Sequence, residues 1–169
     1  MLSPHNPSWA GQFVDESSLA IAALGDVLIE LHHIGSTAIP GIVAKPVIDM
    51  LAVVTSVDAL DSSSPHLATL GYEALGEFGI PGRRYFRKDS AAGVRTHQLH
   101  AFAIGSDHIE RHLGFRDYLR AHSGQAHAYE LLKKVLAERY AGDMGAYSHG
   151  KTDFIREIER RASGRPATG

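Results

Sequence analysis

The pattern of apolar and polar positions divides the chain into an early part rich in strands and a late part rich in helices. Short apolar or alternating runs predict strands over residues 27–34, 47–54, 72–78, 83–88 and 94–104. Helical spacing predicts helices over residues 12–24, 56–70, 125–140 and 144–162, with a further one beginning near residue 107. A Ser-Ser-Ser-Pro run at 62–65 is expected to interrupt the second helix. No repeat or linker divides the chain, so the pattern predicts one α+β domain over residues 1–169.

Composition narrows the classes of protein and of site. The chain has 169 residues, 44% of them apolar and 21% charged, and a net charge of −2. This balance predicts a globular domain with no nucleic-acid or membrane partner. The absence of cysteine excludes disulfides, thiolate zinc sites and cysteine nucleophiles. No apolar run is as long as a membrane span, so we expect a cytoplasmic protein, with an extended leader over about residues 1–10 and a frayed tail over residues 163–169.

A glycine–serine pair lies between the first two predicted strands. Gly35 leaves room for a phosphate to approach backbone N–H groups, and Ser36 and Thr37 place hydroxyls beside them. Asp49 follows on the next strand, inside an otherwise apolar run. Burying a carboxylate costs several kcal/mol unless it is paired or binds a metal. We therefore predict phosphate or nucleotide binding at Gly35, Ser36 and Thr37, and a catalytic or Mg²⁺- or Mn²⁺-binding role for Asp49.

One feature argues against ordinary two-metal chemistry at this site. Such chemistry uses two acids placed two residues apart, because both side chains then project from the same face of a strand. Here the position two residues after Asp49 is Leu51. A second interpretation stays open, in which Lys45 or an arginine neutralises Asp49 and the acid only supports the core.

Two histidines on the last predicted strand are candidate partners for Asp49. His100 would lie beside Asp49 if their strands are neighbours, and imidazole with carboxylate suits manganese or zinc better than magnesium. We predict His100 as a metal ligand or catalytic base. His97 points to the opposite face of the same strand. A strand histidine is also often a hydrogen-bonded core residue, and this alternative stays open for both.

Basic residues supply candidate phosphate contacts. Arg83 and Arg84 follow a rigid Ile-Pro-Gly turn, and guanidinium groups match phosphate oxygens. Lys45 is predicted to neutralise charge in catalysis, and Lys151 to bind phosphate. A solvated hairpin edge is the alternative for the arginine pair. Residues 150–152, Gly-Lys-Thr, lack the upstream glycines of a P-loop, so they are not a Walker A motif.

Several segments of the chain resemble the GrpB family. They are residues 33–41 (HIGSTAIPG), 44–49 (AKPVID), 79–88 (GIPGRRYFRK) and 115–120 (FRDYLR), with His97 and His100, and they continue through Tyr140, Tyr147, 150–151 and 154–155. The match covers nearly the whole chain. The resemblance implies a nucleotidyltransferase-like fold of the polymerase-beta type, which is a mixed β-sheet packed by helices with a helical C-terminal part. It implies no particular reaction.

This chain departs from the pattern of the family and its superfamily at three positions. His32 stands where relatives commonly have an acid, Gln98 where they commonly have a histidine, and Leu51 where the superfamily has its second carboxylate. Two hypotheses follow. The first is metal-dependent transfer of a nucleotidyl group from a nucleoside triphosphate to a small-molecule acceptor. The alternative is a non-catalytic module on the same fold that binds a nucleotide, coenzyme A or another phosphorylated ligand.

Overall fold

A mixed sheet forms the centre of the computed structural model, which describes residues 1–164. The strands are β1 (Leu28–Ile34), β2 (Ile48–Val54), β3 (Tyr72–Ala74), β4 (Arg84–Asp89) and β5 (Arg95–Ala103). Their order in the sheet is β1-β2-β5-β4-β3. β2 and β5 are parallel, and the other neighbours are antiparallel. The predicted α+β class is therefore confirmed.

Helices cover both faces of the sheet and form the C-terminal part of the fold. They are α1 (Ser8–Leu24), α2 (Val57–Thr69), α3 (Asp107–Ala121), α4 (Ser123–Arg139), α5 (Met144–His149) and α6 (Thr152–Ala162). None of these helices is long and apolar enough to cross a membrane. Residues 165–169, which make up most of the predicted frayed tail, lie outside the described residues.

The alternation of side chains along β2 separates the two faces of the sheet. Ile48 and Met50 are buried in the core beneath α1 and α2, together with Trp9. Asp49 and Leu51 point to the other face. The predicted site and the larger apolar core therefore share one strand and occupy opposite sides of it.

Leu51 belongs to a smaller apolar cluster on the Asp49 face. It is fully buried with Ile34 and Phe102, and Ile109 and Leu113 of α3 pack against this group. Full burial of one leucine side chain stabilises a fold by about 2 kcal/mol. Two-metal chemistry would need an acid at position 51, and this position is occupied by a leucine of the apolar core.

The C-terminal helices pack on the segment that follows β1. Ile39 and Ile42 are buried against Leu119 of α3, Tyr129 of α4 and Ile158 of α6. These helices therefore close over the loop that contains the glycine–serine pair.

One predicted break in a helix is wrong, because α2 runs through the Ser-Ser-Ser-Pro segment without interruption. Proline has no N–H to donate to the carbonyl four residues earlier, which here is that of Asp61. The Ser64 hydroxyl donates to the Asp61 carbonyl instead, at 2.9 Å. The neighbouring hydroxyl thus compensates for Pro65.

The last predicted helix is divided into α5 and α6, and this expectation of one helix is also wrong. The chain turns at Gly150 and Lys151. A Cβ at Gly150 would lie 2.5 Å from a methyl carbon of Leu136, so a larger residue here would have to displace that side chain of α4. The turn brings Lys151 to the start of α6.

Two further boundaries differ from the predictions. α1 begins at Ser8 rather than near residue 12, because the Asn6 side chain accepts a hydrogen bond from the Ser8 N–H at 2.9 Å. β3 ends at Ala74, and residues 75–83 form a loop that leads into β4.

A buried polar network holds α1 against the sheet, on the face opposite Asp49. The Glu16 carboxylate is 6% exposed and accepts hydrogen bonds from the Tyr72 hydroxyl at 2.8 Å and the Lys88 ammonium at 2.9 and 3.0 Å. His97 Nε2 lies 3.8 Å from the same carboxylate. His97 is therefore part of this network, in agreement with its predicted position on the opposite face from His100.

We expect Glu16→Ala to lower the free energy of unfolding by about 3 kcal/mol, because it leaves the Lys88 charge and the Tyr72 hydroxyl without their shared partner. Glu73→Ala is the matched control, since Glu73 forms an exposed ion pair with Arg87 that contributes about 1 kcal/mol or less. Urea unfolding of both variants measures the difference. Equal losses would show that the Glu16 network does not stabilise the fold.

Candidate functional site

Gly35 lies directly against the side chain of Asp49. β1 ends at Ile34, directly opposite Asp49 on β2. The next residue, Gly35, has φ 71° and ψ −173°, a conformation that is almost restricted to glycine. A Cβ at this position would lie 2.5 Å from Asp49 Oδ2. Glycine is therefore required so that the carboxylate can lie against the turn.

The turn itself is braced by buried side chains. Residues Ser36–Ala38 form a short 3-10 turn, in which the Thr37 hydroxyl donates to the Val47 carbonyl at 3.2 Å. His33 Nε2 lies 2.9 Å from the same hydroxyl. The Thr37 hydroxyl donates its one proton to the Val47 carbonyl. The imidazole N–H is therefore the donor in the hydrogen bond between His33 and Thr37. The side chain of Thr37 thus holds the turn to β2 and has no proton left for a phosphate.

Two arginines of α3 hold the carbonyl groups on either side of the turn. Arg116 Nη1 donates to the His33 carbonyl at 3.1 Å, and Arg120 Nε donates to the Ala38 carbonyl at 2.8 Å. The pKa of His33 is lowered to about 4, first by burial and then by the positive charge of Arg120. His33 is therefore neutral at physiological pH.

His100 lies beside Asp49, as the prediction of neighbouring strands requires. β5 pairs with β2, and His100 Nε2 is 3.8 Å from Asp49 Oδ1, with the two side chains 15% and 26% exposed. Arg83 Nη1 lies 3.4 Å from His100 Nδ1. A guanidinium group only donates, so Nδ1 is the acceptor and Nε2 carries the proton of the neutral ring. That proton points toward Asp49.

Three lysines lie close to one another at the edge of the site. The ammonium groups of Lys45 and Lys151 lie 4.3 and 4.4 Å from the centroid of the Tyr147 ring. Lys133, only 2% exposed, donates to the Val43 carbonyl and lies 5.0 Å from the centroid of the Tyr129 ring. The cluster draws its members from a loop, from α4 and from the start of α6.

The pKa values of these three lysines are all lowered, by burial and in part by the charge of a neighbouring lysine. The pKa of Lys133 is lowered to about 8, mainly by burial and then by the charge of Lys151. Burial and the charge of Lys45 lower the pKa of Lys151, whereas Asp49 raises it. Burial lowers the pKa of Lys45 as well. Two acids oppose this surplus of positive charge, because Asp49 raises the pKa of Lys151 and Glu130 raises that of Lys133.

Tyr129 connects α4 to the glycine–serine turn. Burial raises its phenol pKa, the neighbouring Tyr147 and Asp49 raise it further, and the Ser36 side chain acts in the opposite direction. Sequence reasoning placed Tyr129 in the core, where it is, and missed its contact with Ser36. It also missed Lys133. A lysine on the inward face of a predicted helix, one turn after a tyrosine, was the available signal.

The two predicted arginines separate. Arg83 is buried beside His100 and lies over the Tyr85 ring, with 5.0 Å between its guanidinium carbon and the ring centroid. Arg84 is directed to the opposite face, where Nε and Nη2 bind the carboxylate of Asp61 in α2 at 2.7 and 2.9 Å. The predicted placement of Arg84 at the phosphate site is therefore corrected: it anchors α2.

The residues present do not form a two-metal centre. Within residues 1–164 no group of three or more His, Asp or Glu side chains is arranged to hold a metal ion. Among the described residues Asp49 is the one carboxylate beside the turn, and Leu51 belongs to the core.

A cavity of about 630 Å³ opens next to the lysine cluster. Lys45 and Tyr147 form part of its wall together with Val43, Tyr140 and Met144. Neither Asp49 nor His100 lines it. The lysines thus lie between this cavity and the glycine–serine turn.

Comparison with known proteins identifies the family. The family model described as "GrpB protein" matches residues 1–161. The chain belongs to the GrpB family. A crystal structure of the conserved protein GrpB from Enterococcus faecalis is similar to this chain with a TM-score of 0.89 and 37% identity, covering 96% of each chain. The predicted family resemblance is confirmed.

Two further comparisons concern a longer relative and a structure that shares the fold. The UPF0157 protein YqkA of Bacillus subtilis is 43% identical over 158 residues, which are 94% of this chain and 46% of that relative, so the chain spans less than half of it. The Cid1 poly(U) polymerase with Mg 3'-dATP bound has a TM-score of 0.57 at 16% identity, covering 88% of this chain and 49% of that one. This GrpB chain therefore shares the nucleotidyltransferase fold.

We expect Gly35→Ala to destabilise the protein more than Gly41→Ala does. Both glycines have positive φ, so each substitution costs about 1–2 kcal/mol of backbone strain. Only at Gly35 does the new methyl group collide with Asp49, which adds about 1–3 kcal/mol, whereas Gly41 has no neighbour within 4 Å. Urea unfolding compares the two, and equal losses would contradict a role for the Asp49 contact.

The stability of this GrpB chain should fall as the pH is lowered from 7 to 5. The pKa of His33 is about 4 in the folded state and about 6.5 when unfolded, so the unfolded state binds more protons in this window. The contribution of His33 is complete above pH 6.5 and decreases by up to about 1.4 kcal/mol per pH unit below it. His112, with a pKa of about 3 because of burial, acts in the same direction.

His33→Gln removes the titrating group and retains a donor near Thr37, so it should reduce this pH dependence. The exposed His66→Gln is the control and should leave the pH dependence unchanged. Urea unfolding at pH 7 and pH 5 measures both. An identical pH dependence in His33→Gln and the parent protein would refute the assignment.

Proposed function

We propose that the Asp49 face of this GrpB domain binds a phosphorylated small molecule of the nucleotide or coenzyme A class, and that lysines rather than a two-metal centre neutralise its phosphates. The observation that carries this proposal is the clustering of Lys45, Lys133 and Lys151 beside a turn with one acid. Partly buried like charges repel one another and lose hydration, so they are stable together only when anions compensate them. A phosphate group supplies such charge.

Protein carboxylates do not fully provide this compensation. Asp49 is the one acid beside the turn that acts on Lys151. Glu130 lies near Lys133, but its carboxylate binds Lys134 at 2.9 Å. A ligand with several negative charges, such as a diphosphate or triphosphate, would therefore complete the balance.

The geometry supports specific positions for the ligand. Gly35 and Ser36 are half-buried, and the first N–H groups of their turn have no acceptor within the 3-10 turn itself. Lys151 and Lys45 border the same region across Tyr147, and Arg83 lies beyond His100. In this arrangement the phosphates lie between the turn and the lysines. The buried Thr37 hydroxyl holds the turn from behind.

Metal-dependent nucleotidyl transfer is the second candidate function. The observation that favours it is the approach of His100 to Asp49 on a fold shared with Cid1, with Lys45 in reach of developing charge. In this reading Mg²⁺ or Mn²⁺ would enter with a nucleoside triphosphate, and Asp49 and His100 would be the catalytic or metal-binding pair. The missing acid at Leu51 counts against it.

Thermal unfolding with ATP, coenzyme A and inorganic tripolyphosphate, each in EDTA and in Mn²⁺, tests the first proposal. We expect stabilisation in EDTA, since a ligand at tenfold above its Kd adds about 1.4 kcal/mol. Lys151→Gln should weaken binding by roughly tenfold or more, the value of a charge-assisted hydrogen bond. Arg161→Gln, a change to an exposed arginine of α6 that pairs with Glu157, is the control and should bind normally.

Asp49→Asn separates the two functions. If lysines bind the phosphates, removing the negative charge of Asp49 leaves phosphate affinity unchanged or raises it. If a metal bridges Asp49 and the triphosphate, the same substitution abolishes Mn²⁺-dependent binding and pyrophosphate release from labelled triphosphates. Turnover that requires both metal and Asp49 would replace the first proposal with the second, and no stabilisation by any of these ligands would reject the first.

A further inference from the structure

The loop between β3 and β4 contains a backbone conformation that needs an explanation. Phe78 has φ 45° and is the non-glycine residue with positive φ in the described part of the chain. A bulky side chain raises the free energy of this conformation, and such strained residues cluster at ligand sites. The glycines on both sides of it, Gly76 and Gly79, adopt positive φ without this cost.

A buried arginine holds Phe78 in this conformation. Arg83, 7% exposed, donates from Nη2 to the Phe78 carbonyl at 2.7 Å and from Nε to the Glu77 carbonyl at 3.1 Å. The Glu77 carboxylate accepts from the Gly82 N–H at 2.7 Å, which closes the loop. The loop is thus fixed from inside by Arg83, while Ile80 packs into the cluster that contains Leu51.

This fixed loop displays an aromatic ring at the surface. The Phe78 side chain is 60% exposed, although burial of a phenylalanine is favourable. One face of its ring stacks on Tyr85, with centroids 5.1 Å apart and planes inclined by 20°. The exposed fraction leaves the other side of the ring accessible. The strained backbone therefore serves to present a ring rather than to bury it.

The ring is connected to the candidate phosphate site by a short series of aromatic contacts. Tyr85 lies beside His100, with ring centroids 5.2 Å apart. His100 Nε2 in turn lies 3.8 Å from Asp49 Oδ1. Phe78 is thus separated from the Asp49 carboxylate by two rings on the same face of the sheet. If the phosphates of a nucleotide bind at the turn, its base lies either toward Phe78 or toward the cavity beside the lysines.

We propose that Phe78 is the stacking platform for the planar group of the ligand, a nucleobase, whose phosphates bind at the Asp49 face. This inference rests on the proposed function. A ring stacked on one side and accessible on the other accepts one further aromatic plane, and base–aromatic stacking needs no particular base. A protein partner would need a much larger apolar surface than a single ring offers.

Calorimetric titration with ATP and with inorganic tripolyphosphate tests the two parts of the site separately. Phe78→Ala and Phe78→Gly should weaken ATP binding by roughly 5- to 150-fold and change tripolyphosphate binding by less than about twofold, since only ATP has a base to stack. The glycine variant also removes the backbone strain, so agreement between the two variants assigns the loss to the ring. Val94→Ala, at another exposed apolar position, is the control and should bind both ligands normally.

Phe78→Trp provides a readout that does not depend on affinity alone. This variant should restore ATP binding, and its new indole should be quenched by ATP and unaffected by tripolyphosphate. The native Trp9 is 2% exposed and lies on the opposite face of the sheet, so its fluorescence should not respond.

The failures of the two proposals are distinguishable. If the parent protein binds neither ATP nor tripolyphosphate, the proposed function fails and the stacking role fails with it. If both ligands bind and the Phe78 variants bind ATP as the parent does, or if tripolyphosphate is lost together with ATP, the stacking role alone is refuted.

Discussion

The carboxylate of Asp49 rests directly on the backbone of Gly35, and the arrangement of the whole site follows from this approach. The contact fixes where β1 must stop and forces the chain into a turn that only glycine accommodates. The turn then needs support from all sides. Thr37 ties it to β2, two arginines of α3 hold its carbonyl groups, and Tyr129 of α4 reaches Ser36. An acid and a turn are thus supported by side chains from two helices, α3 and α4.

Charge is the second constraint on this site. The fold buries or half-buries three lysines from separate elements beside Asp49. Burial disfavours their ionised state, and the charge of Lys45 on Lys151 and of Lys151 on Lys133 adds to this effect. A domain built for stability alone would pair these lysines with carboxylates, as it does with Glu16 and Lys88 on the far side of the sheet. The contrast between a neutralised face and a face with surplus positive charge is the physical reason to expect an anionic ligand.

Much of the fold and the position of Asp49 could be predicted from the sequence, because both depend on local patterns of residues. The alternation in β2 placed Asp49 and Leu51 on one face, and Gly35 with Ser36 announced the turn. Contacts between distant elements could not be read in the same way. Arg83 and Arg84 are adjacent and chemically equivalent, yet strand alternation sends one to His100 and the other to Asp61. Lys133 and Tyr129 join the site only because α4 folds back over the turn. The helix break predicted at Pro65 is wrong because the Ser64 hydroxyl makes the hydrogen bond to Asp61 that the proline cannot make.

The burial of Leu51 restricts the substitutions that this position tolerates. A leucine that is fully enclosed by Ile34, Phe102 and α3 is part of the stability of the domain. An acid at this position would place a charge in an apolar cluster. Because the core closes around this leucine, a single substitution to an acid would cost stability before it could supply a metal ligand.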